Sequence, residues 1–196
     1  WKTIWYYWWY DRRPFFLYLK IDYCDYERYR GLKETLVRAC PPRDICPRYV
    51  YARLLVVDEY VKTLARKLYE LSPRRDEVGL ANFIGAFVQL AIKYGWDMGE
   101  VDDPKFPVES LWEQGVGDCE DSAILAATIL RALGYDSALV IFPGHAMTGV
   151  VVKNCPGWYV SYGGKKYCLL ETTGYGWKLG EVPPGYERAK YVIPVP

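Results

Sequence analysis

A single histidine, His145, serves all 196 residues, and that scarcity narrows the chemistry more than any other feature. With one imidazole and no C-x-x-C pair, the chain lacks the ligand pattern of a zinc site. It also lacks any uncharged apolar run of about 18 residues, the length a bilayer-spanning helix requires. No membrane span is therefore expected. Excess charge is missing too: 25 Lys and Arg stand against 24 Asp and Glu, a net +1. That balance argues against nucleic acid as a partner. No internal repeat or low-complexity tract is present. The chain starts at Trp1 rather than Met, as a processed piece would, and a removed signal or anchor stays open.

What is present describes a globular chain. Apolar residues make up 51% and charged residues 25%, and the length suits one domain with an N-terminal appendage. We place that appendage at residues 1–50, an aromatic-rich hairpin and stapled connection, and the core at 51–196. Nineteen Tyr and eight Trp are more rings than a core needs, so some are expected on a groove or contact surface. Six cysteines are many. With Cys119 set aside, Cys24, Cys40, Cys46, Cys155 and Cys168 leave several pairings open. The neighbours in sequence are Cys40 with Cys46, and Cys155 with Cys168 across a hairpin. Bridges would place the chain in an oxidising compartment or at the cell surface, or in the cytoplasm of a hyperthermophile.

Hydrophobic periodicity predicts helices before strands. Residues 5–10 and 15–21 are aromatic and β-branched, with a turn at 11–14, and read as a hairpin. A short helix over 22–30 is expected to stop at Gly31, followed by an irregular connection over 31–50 rich in proline. Apolar residues three and four apart mark helices over 57–71 and 76–94. An acidic loop is expected over 96–107, a helical turn over 109–113, and a further amphipathic helix from Cys119 to the glycine at 134. The period then becomes that of strands over 138–142, 147–152, 158–161, 167–172 and 189–195. The class is α+β.

Three residues carry chemistry. Asp118 is a suitable N-cap, which puts Cys119 in the first turn of its helix, where the dipole and the free amides favour a thiolate. The Cys119 amide could itself serve an oxyanion. The flanking Asp118, Glu120 and Asp121 oppose the thiolate, so an imidazolium partner is needed. A cysteine on such a helix can also be a plain buried hydrophobe. The unique His145, at the start of an apolar strand, offers the base. Glu171, flanked by Tyr167 and Leu169 on its own side of a strand, needs a partner if buried, and a His145 N–H would supply one.

The blocks Pro107-Val108-Glu109-Ser110-Leu111, Gly117-Asp118-Cys119-Glu120-Asp121-Ser122-Ala123-Ile124-Leu125 and Leu133-Gly134-Tyr135-Asp136 resemble the transglutaminase-like cysteine superfamily, its archaeal members above all. His145-Ala146-Met147-Thr148-Gly149-Val150, Leu170-Glu171-Thr172-Thr173 and Trp177-Lys178-Leu179-Gly180-Glu181-Val182-Pro183 look like its downstream blocks. Together they span residues 84–183 in the family's order. The resemblance implies a papain-like α+β core, with the cysteine helix packed on an antiparallel sheet behind an N-terminal β-hairpin and helices. It implies Cys119 as nucleophile, His145 as base and acid, and Glu171 as the orienting carboxylate, where the family more often has Asp. It further implies an upstream oxyanion donor, for which Gln89 and Trp112 are candidates. The expected activity is a cysteine-dependent hydrolase or acyltransferase on protein or peptide amides, with a protease or amidase favoured over a transglutaminase. The alternative is a non-catalytic binding or scaffold module that keeps the fold. No cofactor is required. Some relatives bind calcium, and Asp97, Glu100, Asp102 and Asp103 could supply oxygens for Ca²⁺, although they do not complete an EF-hand.

Overall fold

The computed structural model describes residues 1–40, 46–95, 103–186 and 188–196, without the side chains of Cys46 and Val116. Its class is α+β. The chain opens with a ribbon of β1 (Lys2–Tyr10) and β2 (Arg13–Ile21), paired antiparallel from Lys2↔Ile21 to Tyr10↔Arg13. The turn is two residues rather than four. Asp11 and Arg12 both take positive φ, 47° and 62°, the type I′ geometry that suits a twisted hairpin. Pro14 joins β2, where an edge strand tolerates its missing N–H.

Four helices follow: α1 (Tyr23–Arg38), α2 (Cys46–Leu54), α3 (Glu59–Leu71) and α4 (Glu77–Ala91). Carboxylates cap three of them, with Asp22, Asp58 and Asp76 each accepting a first-turn amide. The expected stop at Gly31 does not occur. The Asp22 cap starts α1 and the helix runs through Gly31, where nothing lies within 4 Å of a built Cβ. One exposed glycine costs only about 1 kcal/mol in a helix. Residues 31–38 and 46–50 are therefore helical rather than irregular, and residues 41–45 of the expected connection lie outside the described residues. Cys155 and Cys168 are bonded. Cys40 is also half of a disulfide, and its expected partner's side chain, that of Cys46, lies outside the described residues. Cys24 is free and exposed.

The short β3 (Lys93–Tyr94) pairs parallel with β4 (Gly115–Gly117), and α5 (Pro107–Glu113) comes between them in sequence. Next is α6 (Cys119–Ala132), then β5 (Ser137–Phe142), β6 (His145–Val150), β7 (Tyr159–Tyr162), β8 (Lys165–Leu170) and β9 (Tyr191–Pro194). These five form one antiparallel sheet, ordered β7-β8-β6-β5-β9. Glu171 lies one residue beyond β8, not inside a strand.

The sequence pattern predicts an amphipathic α6, yet every residue from Glu120 to Leu130 is buried. One side of the helix meets β5 and β6 and the others meet α3, α4 and α5. A helix enclosed on all sides sits at the centre of a core. The opposite face of the sheet, with Val140, Phe142 and Met147, is covered by Val182, Tyr186 and Ala189. The ribbon joins the main core through its inner face, where Trp8 meets the rings of Phe83 and Phe87 on α4.

Candidate active site

Glycines lead into Cys119. Gly117 faces Asp121 so closely that a Cβ there would lie 2.8 Å from Asp121 Oδ2. Asp121, buried at the first turn of α6, accepts the Lys105 amide at 2.6 Å and Lys105 Nζ at 3.1 Å. The approach to Cys119 is thereby fixed to the segment before α5. Burial pushes the Asp121 carboxyl up to about 7 despite the Lys105 ammonium. Asp118 occupies the N-cap position, but its carboxylate makes no capping bond. Instead Ser122 turns back, its amide and hydroxyl both donating to the Asp118 carbonyl. The first-turn amides, that of Cys119 included, thus have no side-chain cap.

Strands bring up the other two groups. Thr148 Oγ1 on β6 donates to the Ala123 carbonyl of α6 at 2.8 Å, setting the depth of the strand that begins with His145. Ser122 Oγ lies 3.0 Å from Thr172 Oγ1, which holds the end of β8 against the same helix. His145 Nε2 then sits 2.6 Å from Glu171 Oε2. The other oxygen, Oε1, accepts the Thr172 amide at 2.8 Å, the Thr173 amide at 2.8 Å and the Thr173 hydroxyl at 2.7 Å. Such a carboxylate is fully satisfied and cannot rotate away. Burial would raise its pKa, but these donors and the imidazolium outweigh burial and hold it low.

His145 is the reciprocal case. Burial works against its proton, yet hydrogen bonds with Cys119 and Glu171, and their charges, raise its pKa to about 9. With Nε2 committed to Glu171, the ring nitrogen left for the thiol is Nδ1. The Tyr186 ring lies against the imidazole, 4.7 Å between centroids. Cys119 Sγ also reaches Glu120 Oε2 at 3.4 Å. Ligand atoms of Asp118, Cys119 and Glu120 fall within 4.8 Å of one another, but both carboxylates have other interactions. Beside the thiol they make a negative surrounding that the imidazolium helps to offset. Of the acids considered for Ca²⁺, Asp97, Glu100 and Asp102 lie outside the described residues, and Asp103 pairs with Lys33 at 2.8 Å.

The two oxyanion candidates are placed differently from Cys119, His145 and Glu171. Gln89 Nε2 donates to the carbonyls of Glu171 at 2.8 Å and Trp177 at 3.1 Å. Both amide hydrogens are engaged, so as placed Gln89 fixes the backbone at the carboxylate and has none to offer an oxyanion. Trp112 stacks on Tyr26 at 4.9 Å with Lys2 over its ring at 4.7 Å, an anchor for the N-terminal elements. A residue the sequence did not single out is Tyr94. It pairs in register with Gly117 and shares with Gly117, Ser122 and Thr172 the lining of a cavity of about 10 Å³. Burial pushes its phenol up to about 12, helped by the negative charges of Cys119, Asp118, Glu120 and Glu171. It is a hydroxyl donor at any ordinary pH. One tyrosine among nineteen carries no signal of its own; its only sequence mark is its place just ahead of the acidic loop. A wider groove of about 200 Å³ lies beyond Gln89, lined by Trp9, Tyr10, Asn82, Tyr175 and Trp177 among others.

No family model matches the chain, and no curated protein matches it significantly. Two solved structures are similar to it. One is a Cytophaga hutchinsonii protein provisionally described as a cysteine protease, at 15% identity and a TM-score of 0.45, over 73% of this chain and 45% of that one. The other is described as a TGase, at 16% identity and a TM-score of 0.42, over 87% and 44%. The chain spans less than half the length of either.

Proposed function

We propose that this chain is a cysteine-dependent hydrolase or acyltransferase of the transglutaminase-like kind, acting on amide bonds of proteins or peptides. The observation that supports it most is His145 hydrogen-bonded to both Cys119 and Glu171, with its pKa raised to about 9. An imidazolium beside a thiol in an acidic pocket is what keeps sulfur nucleophilic. In this reading the Cys119 thiolate adds to the amide carbonyl, and the oxyanion takes hydrogen bonds from the Cys119 amide and the Tyr94 phenol. His145 then gives its proton to the leaving nitrogen as the C–N bond breaks, leaving a thioester. Water, losing a proton to His145, releases the acid and restores the thiol. An amine in place of water would give transamidation. Hydrolysis is favoured because no second-substrate site stands out. The groove beyond Gln89 would take the acyl donor.

The test is a thiol-directed electrophile followed by peptide mass mapping, comparing Cys119 with the exposed Cys24. Faster labelling of Cys119 that is lost in His145→Ala supports the reading. Equal rates at the two thiols, or labelling indifferent to His145, would leave a binding module. Release of acid against incorporation of amine on one glutamine-containing protein, with Cys119→Ala as control, separates the two reactions.

A further inference from the structure

The outer face of the β1–β2 ribbon, Trp9 apart, lies outside the groove beyond Gln89. Side chains alternate along both strands. Ile4, Tyr6, Trp8, Leu17 and Leu19 point into the core, while Trp5, Tyr7, Trp9, Phe16 and Tyr18 are between 42% and 65% exposed. The register brings these outer rings together across the strands, Trp5 opposite Tyr18 and Tyr7 opposite Phe16. Centroids are 5.0 Å apart for Trp5–Tyr18 and 6.3 Å for Tyr7–Phe16. The result is a row of rings flanked by a cavity of about 330 Å³, lined by Tyr18, Lys20, Glu59 and Lys67, and one of about 420 Å³, lined by Trp5, Tyr7, Glu113 and Gln114. Monomeric proteins seldom leave such a row to water.

Charge distinguishes the occupants. Residues 1–21 carry Lys2, Arg12, Arg13 and Lys20 against Asp11 alone, a net +3, in a chain whose total is +1. Arg12 and Arg13 stand at the turn and Lys20 at the other end, with the rings between them, while Lys2 is turned to Trp112. Lys67 of α3 adds another at the edge, over the Tyr18 ring at 4.1 Å, and the nearby acid Glu59 is paired with Lys62. A second copy would set like charges against each other. Tryptophan and tyrosine, flanked by lysine and arginine, instead suit the boundary between lipid and water.

We propose that this face is a docking surface for an anionic lipid bilayer, the rings lying at headgroup depth and the cations on lipid phosphates. The test uses vesicles of phosphatidylcholine alone and with one quarter phosphatidylglycerol. The protein is expected to float with the anionic vesicles, and brominated lipid is expected to quench its tryptophan emission. Trp5→Ser with Tyr7→Ser and Phe16→Ser should lower partitioning at least about tenfold. Arg12→Gln with Arg13→Gln and Lys20→Gln should weaken binding to the anionic vesicles by about a hundredfold, at about fivefold per cation. If the ring variant does not fold, the charge variant and the quenching of the unaltered protein decide. The proposal is overturned if the unaltered protein stays soluble with both vesicles, if neither variant changes partitioning, or if the rings mediate a dimer or an acidic-protein complex in place of lipid binding. These outcomes do not involve Cys119.

Discussion

His145 keeps its proton against burial because two acidic groups act on it. Glu171 faces Nε2 at 2.6 Å, and the Cys119 thiol acts on the ring as well. Glu171→Gln should therefore let the pKa fall from about 9 toward the ordinary 6.5. Because the chain has one histidine, its ring protons give a single resolved NMR titration in which to read this. Tyr94 tests the other half of the pocket. Tyr94→Phe is expected to lower kcat about a hundredfold while KM changes little, since an oxyanion donor acts in the transition state alone. A parallel loss in both constants would instead mark a structural tyrosine.

At the scale of elements, the glycine strand and α6 work as a unit. Gly117→Ala drives a methyl into Asp121 and against the Lys105 pair, in a region already buried. A cost of about 1–3 kcal/mol in unfolding free energy, measured by urea denaturation, is expected, with slower Cys119 labelling as the turn shifts. Much of this unit was legible in the sequence. The glycine turn, the cysteine helix and the five later strands each carry their own local signal, namely glycine punctuation and a switch of period. The sheet strands appear within a few residues of where those signals put them. What was illegible depends on tertiary partners. Gln89 has the chemistry of an oxyanion donor, and only the fold shows both hydrogens taken by the carbonyls of Glu171 and Trp177. Gly31 has the chemistry of a helix stop, yet the Asp22 cap and the continuing helix override it. The Asp118 carboxylate sits where a cap belongs and does not cap, being engaged elsewhere.

For the whole molecule, stability should fall with pH in two steps. Asp121 keeps its proton to about 7 when folded and loses it near its ordinary 3.8 when unfolded, so its contribution is lost as pH rises through about 7. His145, held at about 9 when folded against 6.5 unfolded, contributes fully below 6.5, and that contribution is lost as pH rises through about 9. Urea midpoints followed across this range should show both steps, and Glu171→Gln should shrink the upper one. Reduction of Cys155–Cys168, which ties the segment before β7 to β8 across a separation of 13 residues, should lower stability by about 3 kcal/mol, read as a lower unfolding midpoint with reductant. The position of Glu171 just after β8 also bears on biosynthesis. A ribosome exposes Cys119 first and Glu171 about fifty residues later, several seconds at ordinary rates of synthesis. On the proposed reading, Cys119 gains its imidazole and carboxylate partners only when that segment emerges and closes on α6.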